Sequence, residues 1–478
     1  MKKFFACLTS AAFFFGSSFA YSEDISNADL LKELKEMREI IKKQDARIGE
    51  LETRLEKAES AAVPPAVAAP PGLCASLEEA ITCSVDTELN KRDVRVLEEG
   101  YRIPGGLNIG ADGTFVFQGT PNANNAGENE DDRFDGGWST DIIISKDICY
   151  ENGDKAYAFL SLETGQNDGI TNELNVFSNV NYDLDTSGSV VNLTNLWYEH
   201  WLFGGQVGLR GGKIDTTAYT IDQNAFANDE TSQFMSNIFR NNPIIEFPDD
   251  SGRVVGGNLM LKPGFAEYME LSAGYYNADG TWDNLFSHPF ATAQLNFKPH
   301  ELMGWDAEQW EGNYRVYWWT NARKHAKYIE PGGTDDDTDA NKENYGFGLS
   351  CDQRLTDIYG VFARFGWQRP ELIPMDSSPT LYLGWSTGAQ MTGKYWKRED
   401  DVVGIAVGQV CPSGHYKNAG NPGYPETHLE AYYNFRVTKH LSISPDLQWI
   451  WDPRGVGRDE QGDDRSIFVY GMRVQLDF

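Results

Sequence analysis

Long hydrophobic runs are missing from this 478-residue chain once its first twenty residues are passed. None approaches the roughly 18 apolar residues that a membrane-crossing helix needs, and the mean hydropathy is −0.48. A helical membrane protein is excluded. Basic residues are also scarce, with 41 Lys and Arg against 71 Asp and Glu and a net charge of −30. Such a surface repels phosphate backbones, which argues against nucleic-acid binding. Cysteines number six, too few to define the fold of so long a chain. Metal-ligand spacing is lacking as well: Cys411, His415 and the distant His428 are too few and too badly spaced for zinc. No cofactor is expected.

What is present begins with an export signal. Lys2 and Lys3 precede an apolar core from Phe4 to Phe15, and Ser18 and Ala20 suit signal peptidase, so residues 1–20 are expected to be removed. Residues 21–60 carry a heptad seam of Leu30, Leu34, Met37, Ile41, Ile48, Leu51, Leu55 and Ala58, with Gln44 in its one polar place. A helix of this kind cannot bury its stripe alone, so a coiled-coil oligomerisation segment is expected, best fitted by a homotrimer. Residues 61–72, largely Ala and Pro, read as an extended spacer. Residues 73–104 read as a short helical periplasmic segment carrying Cys74 and Cys83, and a mutual bond between these would require a break in the helix.

From residue 105 to 478 the period changes to two. The last segment places Phe468, Tyr470, Met472, Val474, Leu476 and Phe478 on one face and Arg473, Gln475 and Asp477 on the other. An exported chain closing on an alternating strand with terminal Phe suits an outer-membrane barrel. Working backwards, alternating or aromatic-rich runs fall near 106–119, 138–148, 155–165, 190–202, 206–215, 256–263, 268–277 and 289–299, then 312–322, 344–355, 358–369, 381–391, 401–410, 426–438, 441–452 and 466–478. The tally of about sixteen is even. Brief connections at 203–205, 356–357 and 439–440 alternate with long ones at 120–137, 166–189, 216–255 and 323–343. An all-β transmembrane fold is therefore expected: a 16-stranded antiparallel outer-membrane β-barrel preceded by an α-helical coiled-coil stalk.

The faces of the strands agree with this. Val361, Ala363, Phe365 and Trp367 alternate with Arg364 and Gln368, and Ala431, Tyr433, Phe435 and Val437 alternate with Tyr432, Asn434 and Arg436. Apolar side chains go to lipid and polar ones to the lumen, while the tryptophan pairs at 197 and 201, 318 and 319, and 449 and 451 are expected at the headgroup girdles. A barrel of sixteen strands is too wide for side chains to fill, so a water-filled channel is expected.

Three blocks carry a resemblance. They are GKIDTTAYTIDQNAFANDETSQFMSNIFRNNP (Gly212 to Pro243), YGFGLSCDQRL with YGVFARFGWQRP, and HLEAYYNFRVTKHLSISPDLQWIWDPRG running into the closing strand. In these the chain resembles the OprB-type carbohydrate-selective porins of bacterial outer membranes, with Asp452 in place of the usual Asn before Pro453. The resemblance implies a channel for monosaccharides and similar small hydrophilic solutes. The helical N-terminus is similar to stalks that reach toward peptidoglycan in some porins.

The loop 216–255 is the expected constriction, with Asp222, Asn224, Asp229 and Arg240 among its polar residues. Alternation points Arg210, Arg315, Arg364, Arg436 and Arg473 inward, alongside Asp141, Glu163, Glu199, Glu270 and Gln448. Guanidinium and carboxylate groups facing each other can hydrogen-bond sugar hydroxyls, and Tyr317 or Trp319 could stack on a pyranose face. The same groups could instead be lumenal ion pairs that support the wall. Gly384-Trp385-Ser386-Thr387-Gly388 matches a nucleophile-elbow pattern, but it lies within a strand and lacks the helix such an elbow needs. The acidic run 334–339 reads as a solvated loop without the spacing of a calcium site. Competing readings are a secreted all-β glycan hydrolase or lectin, suited by the carboxylates and tryptophans, and an envelope tether with secondary pore activity.

Overall fold

A computed structural model of the chain describes residues 89–124, 132–184, 190–248, 252–285, 287–328, 342–374, 381–457 and 466–478. The expected signal peptide, coiled coil and spacer, Cys74, Cys83 and the acidic run 334–339 lie outside these residues.

Each of the sixteen expected runs carries a strand. After a short β1 (Tyr101–Ile103) come β2 (Leu107–Thr120), β3 (Arg133–Cys149), β4 (Lys155–Gln166), β5 (Asn192–Leu202), β6 (Val207–Asp215), β7 (Arg253–Leu261), β8 (Met269–Asn277) and β9 (Pro289–Phe297). The second half supplies β10 (Gly312–His325), β11 (Lys342–Arg354), β12 (Tyr359–Gln368), β13 (Leu381–Gly393), β14 (Arg398–Pro412), β15 (Glu426–Thr438), β16 (Leu441–Trp451) and β17 (Ser466–Asp477). From β2 onward every strand pairs antiparallel with the next. The ring closes where Arg473 of β17 lies opposite Val116 of β2. A closed sheet satisfies its own backbone polar groups, which is the condition for crossing lipid with strands. β1 continues the pairing of β2 beyond the last residues of β17, with Tyr101 opposite Ile109.

The outer wall follows the alternation. On β11, Tyr345, Phe347 and Leu349 are exposed, while Asn344, Gly346, Gly348 and Ser350 are buried. Glycine is required at two of these inward positions. A Cβ on Gly346 would lie 2.7 Å from the Trp319 ring and one on Gly348 2.3 Å from the Tyr317 hydroxyl, each aromatic being the cross-strand partner on β10. The expected girdle needs two corrections, the first being Trp319, which points inward from β10 and is fully buried because neighbouring residues on a strand face opposite sides and Trp318 takes the outward one. In the second, Trp197 and Trp201 point inward and are buried, whereas Tyr198 between them is exposed and meets Tyr150 hydroxyl to hydroxyl at 2.9 Å. The register shift between Ser161 and Leu162 opposite β5 resets the alternation there, so counting inward from the strand ends misleads. Trp318 and Trp449 face outward as expected.

Connections alternate in length around the rim. One end has the tight turns 203–206, 355–358, 394–397 and 439–440, with the helical connection 298–311 as its one longer exception, and the other carries the remaining long connections. Two of these long connections enter the barrel. Residues 167–184 bury Ile170, Leu174, Val176, Phe177 and Val180, and the segment 216–252 buries Phe226, Phe234, Ile238, Phe239 and Ile244. The lumen on that side holds an apolar core, in which the loop phenylalanines pack on Phe362, Leu381, Ala406, Val410 and Tyr432 of the wall. These wall residues occupy inward positions that a simple polar-in rule leaves unexplained.

Of the segment 73–104, expected as helical throughout, the described part forms helix α1 (Lys91–Glu99) followed by β1, the helix being capped by Asn90, whose side-chain oxygen accepts the Asp93 amide at 2.9 Å. The helix is lodged within the barrel. Val96 and Leu97 join a buried cluster with Ile143, Tyr157, Phe159, Trp197 and Tyr219. Val96 lies so close to β2 that a Cβ on Gly110 would fall 2.5 Å from its carbonyl oxygen. Cys149, at the short-turn end of β3, is disulfide-bonded, while Cys351 and Cys411 are free.

Candidate functional site

The segment 216–252 starts with helix α2 (Thr216–Tyr219), capped by Asp215, and includes α3 (Asn237–Arg240). It is held by inward side chains from the opposite wall. Arg364 on β12 donates to Asn228 Oδ1 at 2.7 Å, to the carbonyls of Asp222 at 3.2 Å and Ala227 at 3.4 Å, and to that of Phe239. Its guanidinium also lies 3.3 Å from the Asp222 carboxylate. Arg473 on β17 donates to the carbonyls of Glu230 at 2.6 Å and Gln233 at 2.9 Å. Glu430 on β15 accepts the amides of Met235 and Ser236. Asn224 donates to the Cys351 carbonyl at 3.1 Å and to the Ser350 hydroxyl at 3.3 Å. The loop 167–184 is tied in the same way, with Gln448 donating to the Val180 carbonyl at 2.9 Å and Glu426 accepting the amides of Phe177 and Ser178.

Between the inserted loops, α1 and the wall lies a cavity of about 140 Å³. Glu163 and Arg240 face it together with Arg92, Asp93, Asp141, Tyr182, Asp183, Asp215, Glu230 and Arg253. Glu163 pairs with Arg253, and Arg240 pairs with Glu230 while its cation lies 4.8 Å over the Tyr182 ring. Arg92 of α1 bridges Asp112 at 3.0 Å, Glu230 at 3.5 Å, Asp183 at 3.9 Å and Asp141. Burial pushes the Asp183 carboxyl up to about 6 against the pull of Arg92. The lining is polar and of both signs, with carboxyls in excess.

The cavity adjoins a neck of about 60 Å³ through Asn90, Ala218 and Tyr219, and Arg210 lines this neck. Arg210 donates to Glu199 at 2.7 Å and stacks 4.4 Å over Trp197. Below the neck, a cavity of about 330 Å³ reaches Asn224, Glu270, Lys298 and Arg315, the last paired with Asp352. A mouth cavity of about 620 Å³ on the far side of α1 includes Asp229 and Arg436. Asp229 faces Arg95 at 3.4 Å. Burial opposes charge on Asp229, but Arg95 and the hydroxyls of Ser232 and Thr231 outweigh it and hold the carboxyl below the usual range. Arg436 reaches Asp477 at 3.4 Å and Glu99 at 3.7 Å.

Of the residues singled out from the sequence, Asp141, Glu163 and Arg240 share the narrow cavity, with Arg210 at the adjoining neck. Arg315, Asn224, Asp229 and Arg436 line the wider cavities. Arg364, Arg473, Gln448 and Asp222 are engaged with the inserted loops, and Glu199 with Arg210. Trp319 has no exposed surface, because Phe290 and the inserted segment's neighbours enclose it, so no face is open to a sugar in this structure. Strand alternation could not reveal Arg92, Asp183, Glu230 or Arg253, since three lie off the strands and Arg253 is the first residue of β7. The Gly-x-Ser-x-Gly run lies within β13 with Ser386 buried.

Residues 152–478 match the family described as carbohydrate-selective porin, OprB family. The chain is 23% identical over 329 residues to Porin B of Pseudomonas aeruginosa, covering 61% of this chain and 69% of that protein. It is also similar to the high-pH structure of OprB from Pseudomonas putida, at 15% identity with a TM-score of 0.60, covering 83% of this chain and all of that one.

Proposed function

This chain belongs to the OprB family of carbohydrate-selective porins, an outer-membrane β-barrel transport protein rather than an enzyme, and from that premise we propose that it passes small hydrophilic solutes by passive diffusion with a preference for monosaccharides. The observation that carries the preference is the narrow cavity between Glu163, Arg240, Arg253 and Tyr182. Fixed donors and acceptors side by side in ion pairs match a neutral, hydroxyl-rich solute, which exchanges hydrogen bonds with water for hydrogen bonds with the wall at little net cost. The segment 216–252 is the constriction in this reading. Glu163 and Arg240 contact solute there, while Arg210 and Arg315 line its exit. Arg364, Arg473 and Gln448 act by holding the constriction in place.

The soluble hydrolase or lectin reading loses its footing, because the apolar stripe of a closed barrel faces outward. The heptad seam at 21–60 supports two further parts of the proposal, a homotrimer and a periplasmic stalk within reach of peptidoglycan. Chemical cross-linking of the full chain and of one lacking 21–60 tests the first, and peptidoglycan pull-down tests the second. The channel itself is tested by planar-bilayer recording with liposome swelling. Discrete conductance steps and faster entry of monosaccharides than of neutral solutes of equal size are expected. Equal rates would leave a general porin, and a folded preparation without conductance steps would end the proposal.

A further inference from the structure

We propose that helix α1 is a fixed wall of the permeation path and that its Arg92 sets the charge selectivity of the throat. The inference rests on the reading of the barrel as a channel and adds a residue that precedes the family-matched region.

Placement comes first. Asn90, Arg92 and Asp93 line the narrow cavity, while Leu89, Lys91 and Val94 line the cavities on either side of the helix below it. The narrow cavity and the wide mouth cavity share no lining residue. The narrow cavity adjoins instead the neck, where Asn90 stands against Ala218 and Tyr219. A solute leaving the throat through these cavities must pass the first turn of α1.

Fixation comes second. The apolar side of the helix is buried through Val96 and Leu97 against β2, β3 and the aromatic cluster. Its polar side is pinned by Arg92 to carboxylates of β2, β3 and both inserted loops, and by Arg95 to Asp229, Thr231 and Asp477. A helix held on both sides by packing and charge-assisted bonds behaves as part of the wall.

Charge comes third. Three guanidinium groups, from Arg92, Arg240 and Arg253, face a larger set of carboxyls in the throat, and Arg92 touches three of these, Asp141, Asp183 and Glu230, as well as Asp112 of β2 behind them. Its neutralisation leaves only Arg240 and Arg253 among these guanidinium groups to oppose the throat's carboxyls where field lines are most confined, so cations gain over anions.

The test compares wild type with Arg92→Gln and Arg92→Lys in planar bilayers, reading the reversal potential across a KCl gradient. Arg92→Gln is expected to raise the cation-to-anion permeability ratio several-fold, more at low salt, with Arg92→Lys close to wild type. A folded Arg92→Gln protein, judged by heat-modifiable gel migration, with an unchanged or more anion-favouring reversal potential would overturn the proposal. Wild type without conductance would instead refute the channel reading. Should Arg92→Gln fail to fold, Asn90→Cys is modified with positively and negatively charged thiol reagents, treated wild type being the control for the outward-facing Cys351 and Cys411. Reversal potentials displaced in opposite directions support the helix as pore wall. Complete modification, verified by mass, with no change in conductance or reversal potential overturns it.

Discussion

Glu430 on β15 and Ser236 in the inserted segment lie 3.0 Å apart, carboxylate to backbone amide, and the same carboxylate takes the Met235 amide at 2.6 Å. A strand residue facing inward thereby satisfies two donors of a loop that has left the solvent. Glu430→Ala would strand both amides, at a cost of about 1–3 kcal/mol for each unsatisfied group. Hydrogen exchange around residues 233–240 should accelerate, and open-channel noise should rise, while the barrel keeps its heat-modifiable migration. Unaltered exchange in this segment would show that packing alone holds the loop.

Arg364 makes the corresponding anchor from β12, with its donors shared among Asn228, Asp222, Ala227 and Phe239. Breaking a buried pair by removing one partner typically costs about 3–5 kcal/mol. Arg364→Met should therefore loosen the inserted segment and, if that segment is the constriction as proposed, give higher conductance and weaker discrimination between sugars of different size. Adding Asp222→Asn should recover part of the loss, because the orphaned carboxylate is then neutral. Strict additivity of the two substitutions in thermal stability would argue that the two groups do not act as a pair.

These anchors show where the sequence was readable and where it was not. Period-two alternation located all sixteen barrel strands, because lipid outside and polar groups inside repeat the same instruction on every strand. The direction of Arg364, Arg436 and Arg473 followed from it, as did the outward run ending in Phe478. What Arg364 and Arg473 touch did not follow, since their partners are loop carbonyls whose position depends on how segments 167–184 and 216–252 fold inside the barrel. The loop phenylalanines at 226, 234 and 239 are the legible clue: an external loop has no use for so much apolar surface. Helix α1 was legible as a helix, but its insertion depends on Gly110 and Gly100 giving it room against β2, a tertiary fit without a periodic signature.

Trp319 and Tyr317 offer a sharper test of aromatic roles. Both are enclosed, Trp319 with no exposed surface, and both lie across glycines of β11. Replacing a buried tryptophan by alanine costs about 3–5 kcal/mol through lost burial and the cavity left behind. Trp319→Ala should lower the thermal stability of the barrel substantially, and the fraction that remains folded should show the same affinity for blocking sugars as wild type. Weaker sugar block in folded Trp319→Ala, with Trp319→Phe intermediate, would mean that the ring is reached by solute after all.

Asp93 links the docking of α1 to pH. Burial pushes its carboxyl up to about 8 against the pull of Arg92, and the Tyr219 hydroxyl donates to it. An exposed aspartate ionises near about 3.9. Between these values the docked helix keeps a proton that the undocked helix gives up, so docking weakens as pH rises from about 4 to about 8 and levels off above that. The direction is opposite to that of an aspartate stabilised as an anion by an ion pair. Asp93→Asn cannot ionise and should abolish this slope, leaving α1 more protected than wild type at alkaline pH. Hydrogen exchange of the α1 amides, corrected for intrinsic rates and followed across that range, reads the slope directly. Identical pH dependence in wild type and Asp93→Asn would place the titrating group elsewhere, with Asp183, pushed up to about 6 beside Arg92, the next carboxyl to replace.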